Sequence, residues 1–208
     1  MTGARPAAGD AHAGVGAGRI GPNAIVRVAE ALEARLGAGT RDDLFRAIGL
    51  AAYLERMPER MVDEAEVALL QARLVADLGR SLAREVNRDA GARTGDYLLR
   101  HRIPAPAQRA LRLLPAPLAA RALAAAIARH AWTFAGSGAF AYVPGKPFRF
   151  TIAGCPLCRT MRACQPMCDY YAATFERLLR ALVAREARVT ETACQAAGAA
   201  ACAFDAAW

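Results

Sequence analysis

The residues best suited to chemistry are three cysteines and a glutamate near the end of the chain, Cys168, Glu191, Cys194 and Cys202. Three thiolates and one carboxylate form a tetrahedral ligand set that zinc accepts, with Zn–S bonds of about 2.3 Å. The segment between Glu191 and Cys202 has the composition of a strand, a turn at Gly198 and a returning strand. Such a hairpin would direct Cys194 and Cys202 towards one ion, so we predict a zinc site at these four residues.

The distribution of cysteine supports a dedicated site, because all six cysteines lie between positions 155 and 202. Cys155, Cys158 and Cys164 remain outside the zinc set and are either spare thiols or ligands of a second site. The Cys155-x2-Cys158 spacing is also found in redox pairs. An iron–sulfur cluster on these three cysteines and one more is a further alternative, although the spacing departs from that of ferredoxins.

The composition narrows the class of protein. Only Lys146 among the 27 basic residues is a lysine, and this ratio, together with the abundance of alanine, is typical of a GC-rich genome. Most arginines are therefore expected on solvated helix faces despite the net charge of +8. No segment interleaves basic and aromatic residues as single-strand binders do, so we predict no nucleic-acid partner.

The chain is predicted to be a cytoplasmic protein of one domain. Residues 1–21 lack the apolar core of a secretory signal and are predicted to be a disordered leader. Every apolar stretch long enough to span a bilayer is interrupted by charged residues, so no transmembrane helix is predicted. In a reducing cytoplasm, clustered cysteines bind metal or catalyse more often than they form disulfides.

The hydrophobic periodicity predicts an α+β fold over residues 22–208, with N-terminal helices followed by a small antiparallel sheet and packed helices. Helical spacing is found in the part from 22 to 135, in the segments 23–36, 40–57, 63–89, 94–102, 107–114 and 117–131. From 136 to 208, the predicted zinc-bearing α+β part, alternation predicts two hairpins separated by a helix over 169–184. No Gly-x-Gly-x-x-Gly follows a predicted strand, so we predict no dinucleotide-binding half-domain.

The pattern of Cys168 followed by Glu191-x2-Cys194-x3-Gly198-x3-Cys202-x-Phe204 resembles the 4-vinyl-reductase domain over about residues 95–206. That small-molecule-binding fold is similar to the zinc-containing sensor domains of phenol- and xylene-responsive regulators and to subunits of the trafficking-particle tethering complex. The resemblance implies zinc on the same four residues, because the regulators hold zinc at those positions.

Three further segments resemble a family of bacteriochlorophyll-biosynthesis proteins described as 4-vinyl (C8-vinyl) reductases of divinyl protochlorophyllide. They are TGDYLLRHRIP at 94–104, LLP at 113–115 and HAWTFAGSG at 130–138. This resemblance extends over nearly the whole chain after residue 22. It implies a role at the vinyl-reduction stage of chlorophyll and bacteriochlorophyll biosynthesis, and hence in photosynthesis.

Vinyl reduction requires a hydride or electron donor, and zinc does not change its oxidation state. We therefore predict a protein that binds or delivers the divinyl Mg-tetrapyrrole to other pigment enzymes. The alternatives are a reductase in its own right and a ligand-sensing or tethering regulator of those enzymes. Alanine- and leucine-rich helices suit a homodimer, and a peripheral position at the photosynthetic membrane would bring the protein close to its partners.

A run rich in aromatic residues, next to the end of the last predicted N-terminal helix, is the candidate tetrapyrrole site. Its residues are Arg129, His130, Trp132, Phe134, Ser137 and Phe140. Arg129, with Arg100, would pair a propionate, and His130 would either ligate the magnesium or cap the helix. The competing interpretation is that the aromatic residues belong to the core.

Overall fold

The computed structural model describes residues 18–208, so residues 1–17 of the predicted leader lie outside the described residues. The predicted leader boundary at residue 21 is wrong for the residues that follow position 17. Arg19–Ile20 forms strand β1, which pairs antiparallel with strand β2 (Val62–Asp63). Order begins earlier than predicted because Ile20 is buried in the core and the Glu64 amide donates to the carbonyl of Gly18 at 2.9 Å.

Seven helices are formed by the described residues, and most of them match the predicted segments. They are α1 (Asn23–Ala47), α2 (Ala52–Glu55), α3 (Glu64–His101), α4 (Ala105–Leu113), α5 (Ala116–Arg129), α6 (Trp132–Ala135) and α7 (Asp169–Leu182). Helical geometry stops at Gly37, as predicted, but resumes immediately, so α1 is a broken helix with a positive φ of 85° at that glycine. Glycine adopts this backbone conformation with the least strain.

Helix α3 is longer than predicted, because the segment 94–102 continues it instead of forming a separate helix. Gly91 lies inside α3 at its contact with α7, where an added Cβ would lie 2.2 Å from the carbonyl oxygen of Tyr170. The missing side chain lets the two helices approach closely, and this packing offsets the low helix propensity of glycine. Sequence periodicity alone did not reveal this tertiary compensation.

The four-stranded antiparallel sheet confirms the predicted α+β class. Its strands are β3 (Ala139–Val143), β4 (Phe148–Ala153), β5 (Arg188–Ala193) and β6 (Cys202–Ala207), in the order β3-β4-β6-β5. The predicted turn between β5 and β6 is confirmed at Gly198, which has a φ of 90°. Side chains of β4 alternate between buried and more exposed positions, as expected for a strand with one face on the core.

Helix α7 lies between the sheet and α3. Phe175 stacks on Phe150 of the sheet with ring centroids 4.7 Å apart, and Tyr171 makes an edge contact with Phe204 at 6.2 Å. Thr174 on α7 donates to the carbonyl of Gly91 on α3 at 3.1 Å. The layers are therefore sheet, α7 and α3, and α1 packs on α3.

No helix among residues 18–208 is both long and apolar enough to cross a membrane.

Candidate functional site

Five cysteines meet at one end of the sheet, because three segments that are distant in sequence converge there. Cys168 immediately precedes α7, Cys194 immediately follows β5, and Cys202 opens β6. Cys155 and Cys158 lie in the loop after β4, and β4 pairs with β6 in a register that sets Ile152 opposite Cys202. All five side chains are buried.

The thiol sulfurs are spaced as ligands of a metal ion would be. The Sγ–Sγ distances are 3.6 Å for Cys155–Cys168, 3.5 Å for Cys158–Cys202, 3.7 Å for Cys168–Cys202 and 3.9 Å for Cys194–Cys202. Tetrahedral coordination with bonds of about 2.3 Å places sulfur ligands about 3.8 Å apart. A disulfide needs a bond of about 2.05 Å, so these cysteines are free thiols.

Two overlapping groups of four donors can each hold one ion, with all four ligand atoms of a group within 4.8 Å of one another. The C-terminal quartet consists of Cys168, Glu191, Cys194 and Cys202. The loop quartet consists of Cys155, Cys158, Cys168 and Cys202. The C-terminal quartet is the predicted zinc set, and the structure brings its four residues together.

Glu191 tests whether the residues fit a metal ion. Its Oε2 accepts a hydrogen bond from the amide of Cys168 at 2.6 Å, whereas its buried Oε1 has no hydrogen-bond partner among the described residues. Burial, with the neighbouring Cys194, raises the pKa of Glu191 to about 9. A buried carboxylate oxygen without a partner is costly, and a coordinated cation would satisfy it. The donor chemistry therefore fits a metal such as zinc.

Cys155 and Cys158 join the cluster although they were not part of the predicted zinc set. The Cys-x2-Cys spacing, which is common in zinc sites, is the sequence signal that could have identified them. Cys164 is exposed and belongs to neither quartet. An iron–sulfur cluster that includes Cys164, one of the sequence-based alternatives, is therefore not what the structure assembles.

A second buried carboxylate, Glu64, holds the cysteine-bearing loop in place. Its two oxygens accept hydrogen bonds from the Ser137 amide at 2.8 Å and from the Ser137 hydroxyl at 2.6 Å, and it forms an ion pair with Arg159. Burial alone would raise the pKa of Glu64, but the hydrogen bonds from Ser137 and Arg159 lower it overall. Gly136 makes room for this contact, since a Cβ there would lie 2.0 Å from Oε2.

The six residues nominated for the tetrapyrrole lie in different environments. Arg129 is exposed, Trp132 is 61% exposed, and the Nδ1 of His130 lies 2.9 Å from the carbonyl oxygen of Ala126 at the end of α5. That contact matches the helix-capping interpretation of His130.

The other three nominees contact protein groups. Phe134 and Phe140 make an edge contact with ring centroids 5.3 Å apart, and both pack against Phe175 of the aromatic core. Ser137 is bound to Glu64. The core interpretation therefore describes the two phenylalanines as the structure places them.

An open cleft of about 1000 Å³ lies between the end of α3, α4 and the end of α7, and none of the six nominees lines it. Five arginines line this arginine cleft: Arg100, Arg112, Arg177, Arg180 and Arg185. Apolar lining comes from Leu99, Leu182 and Val183. Arg100, nominated for a propionate, lies here, whereas Arg129 does not. The other arginines carry no local motif that would have identified them.

The sheet, α7 and the C-terminal quartet define a protein of the 4-vinyl-reductase domain class, and the model of that domain matches residues 148–207. The match begins at β4, later than the resemblance predicted. The chain is 47% identical over 188 residues to the bacteriochlorophyll synthase 23 kDa chain of Cereibacter sphaeroides, covering 90% of this chain and 89% of that protein. It is 39% identical over 204 residues to the protein of the same name from Rhodobacter capsulatus, covering 98% and 92%. The chain belongs to this family of bacteriochlorophyll-biosynthesis proteins, which confirms the family prediction.

Solved structures with a similar fold include H-NOX domains. A Cs H-NOX mutant with 4-cyano-L-phenylalanine at site 5 aligns with a TM-score of 0.56 and 13% identity, covering 90% of this chain and 94% of that chain. A structure that probes haem distortion in the H-NOX family aligns with the same TM-score and identity, covering 90% and 93%. At this identity the similarity establishes the fold alone.

Proposed function

We propose that this protein binds the divinyl Mg-tetrapyrrole intermediate of bacteriochlorophyll biosynthesis and delivers it to the enzyme that reduces the 8-vinyl group. Membership of the 23 kDa chain family supports a role in this pathway. The relatives are named as chains of a synthase, which supports association with other biosynthetic proteins. One of the H-NOX structures concerns haem in a similar fold, which supports a porphyrin-like ligand for this architecture.

The observation that carries the proposal is the arginine cleft. A tetrapyrrole is a broad apolar plate with a carboxylate at its edge, and this cleft combines an apolar lining with several guanidinium groups. Arg112 donates from Nε to the carbonyl of Ala181 at 3.0 Å, and Arg180 donates from Nε to the carbonyl of Arg185 at 3.0 Å. These contacts pre-orient the side chains, so little conformational freedom is lost when a carboxylate binds.

We further propose that a zinc ion on the C-terminal quartet stabilises the scaffold of the cleft. Helix α7 begins at the quartet and ends at the cleft, since Cys168 precedes it and Leu182 is its last residue. Its 14 residues span about 21 Å. An ion bound by Cys168, Cys194 and Cys202 would tie the start of α7 to β5 and β6, and this tie would fix the orientation of the helix whose far end lines the cleft.

The test is a titration of the purified protein with divinyl protochlorophyllide, followed by the spectral shift of the pigment. The Arg100→Ala/Arg112→Ala double variant should weaken binding roughly tenfold, because charge-assisted hydrogen bonds to the carboxylate are lost. Arg56→Ala is the matched control, since Arg56 is exposed and pairs with Glu59 away from the cleft.

Trp132→Ala distinguishes the two candidate positions of the pigment. A loss of affinity in this variant, with none in the arginine variant, would place the pigment at the run from Arg129 to Phe140 and would contradict the cleft. Failure of the wild-type protein to bind the pigment at all would overturn the proposed function.

A further inference from the structure

The six buried or half-buried donors of the cysteine cluster are more than one ion requires. Cys155 and Cys158 are each 1% exposed, and each sulfur contacts a member of the C-terminal quartet. Both quartets contain Cys168 and Cys202, whose sulfurs are 3.7 Å apart. A single tetrahedral ion would leave two of the donors without a metal.

We propose that this cluster is a binuclear zinc–thiolate centre. One ion binds the loop quartet, the other binds the C-terminal quartet, and the thiolates of Cys168 and Cys202 bridge the two ions. Two tetrahedral ions need eight metal–ligand bonds, and six donors supply eight bonds when two of them bridge. This inference extends the proposed zinc site and does not depend on what the arginine cleft binds.

The charges of such a centre are balanced as well as those of a single site. Five thiolates and one carboxylate around two zinc dications leave a net formal charge of minus two. Three thiolates and one carboxylate around one dication leave the same charge. The second ion therefore adds no uncompensated charge to the buried site, and it converts two buried thiols into ligands.

The loop itself is built to present its two cysteines to the cluster. The Cys155 amide donates to the Gln195 side chain at 2.7 Å, and Arg159 donates to the carbonyl of Gly154 at 2.8 Å. Arg159 also pairs with the buried carboxylate of Glu64. These bonds hold the two ends of the short Cys155–Cys158 segment, so both sulfurs are positioned before an ion binds.

The decisive measurement is the zinc content of the full-length protein purified without oxygen, by elemental analysis and native mass spectrometry. We expect two zinc ions per chain in the wild type. Cys155→Ser/Cys158→Ser should retain about one, and Cys202→Ser should lose both because it removes a bridge. Cys164→Ser is the matched control and should retain two, since that cysteine is exposed and outside both quartets.

A second measurement uses the wild-type protein and so does not depend on the folding of a variant. X-ray absorption at the zinc edge should show sulfur-rich coordination and a zinc neighbour at the distance typical of thiolate-bridged pairs. One zinc per chain, with Cys155 and Cys158 open to alkylation after mild unfolding in the presence of metal, would overturn the binuclear centre and leave the single site. Iron with acid-labile sulfide would overturn both. Neither result would alter the pigment titration, which tests the proposed function separately.

Discussion

Glu64 and Glu191 are two carboxylates in the interior that differ in how their oxygens are satisfied. Both oxygens of Glu64 accept hydrogen bonds, from Ser137 and from Arg159, and its pKa is lowered. One oxygen of Glu191 has no hydrogen-bond partner among the described residues, and burial raises its pKa to about 9. Glu64 therefore serves as an ion-paired structural link, whereas Glu191 has the free oxygen that a metal ligand needs.

Cys194→Ser should remove zinc from the C-terminal quartet and lower the free energy of unfolding by roughly 3–5 kcal/mol, because binding of a structural metal contributes directly to folding. Elemental analysis and denaturant unfolding, each with and without a chelator, measure the two effects. The control is Cys164→Ser, which should behave as wild type. Equal stability of the Cys194 variant and the wild type in the absence of chelator would contradict a structural metal there.

Glu64→Gln should lower the free energy of unfolding at pH 7 by roughly 1–3 kcal/mol, since the ion pair with Arg159 is lost and an amide replaces an acceptor of Ser137 hydrogen bonds. The lowered pKa of Glu64 means that its stabilisation is present above the unfolded-state value and is lost as the pH falls through the folded-state value.

The stability difference between the wild type and Glu64→Gln should therefore shrink below about pH 4. Urea unfolding at pH 7 and in acid measures it. The exposed pair of Arg56 and Glu59 supplies the control, because Glu59→Gln should change stability little at either pH. A gap that widened in acid would show that Glu64 is not ionised in the folded protein.

Among the elements, α7 is the one on which the fold depends most. Its aromatic residues pack on the sheet, its opposite side contacts α3, and its two ends lie at the cysteine cluster and the arginine cleft. Gly91 sets the distance between α3 and α7, because its position leaves no room for a side chain. A displacement of α7 would therefore be felt at both candidate sites.

Gly91→Ala should destabilise the protein by roughly 1–3 kcal/mol, because the added methyl group must displace the backbone of Tyr170. Gly39→Ala is the matched control, as the same substitution in α1, where a Cβ would meet nothing within 4 Å. That variant should be stabilised by about 0.5–1 kcal/mol through helix propensity. Thermal unfolding of the two variants compares them directly, and similar changes in both would show that the close approach at Gly91 carries no cost.

At the scale of the whole molecule, the two candidate sites lie at opposite ends of α7, about 21 Å apart along the helix. In the proposed arrangement, the metal organises the scaffold and the pigment binds far from it. Such a division of roles suits a protein that holds an intermediate for another enzyme.

Incubation of the pure protein with NADPH and divinyl protochlorophyllide under anaerobic conditions should therefore give stoichiometric binding with little or no reduction. Separation of the pigments by chromatography quantifies the 8-ethyl product. A sample that also contains the vinyl-reducing enzyme is the control, and in it the addition of this protein should speed turnover at low pigment concentration. Multiple turnovers by the pure protein would contradict the delivery proposal and support the alternative, a reductase in its own right.

Local patterns in the sequence were sufficient to predict the α+β class, most helices and the two hairpins. Alternation along β4 and helical spacing along α7 are properties of short windows, which is why they can be read without the fold. The four residues of the C-terminal quartet were also predictable, because their side-chain chemistry and spacing restrict what they can bind.

Only the tertiary structure showed which distant segments meet. The pairing of β4 with β6 brings Cys155 and Cys158 to the C-terminal quartet, and the fold carries Ser137 and Arg159 to Glu64, 73 and 95 residues away in sequence. The arginine cleft likewise arises where α3, α4 and α7 end together. Clusters of donors and cavities are set by long-range packing, whereas periodicity is set by neighbours, so the sequence alone determined the elements and the tertiary structure decided the sites.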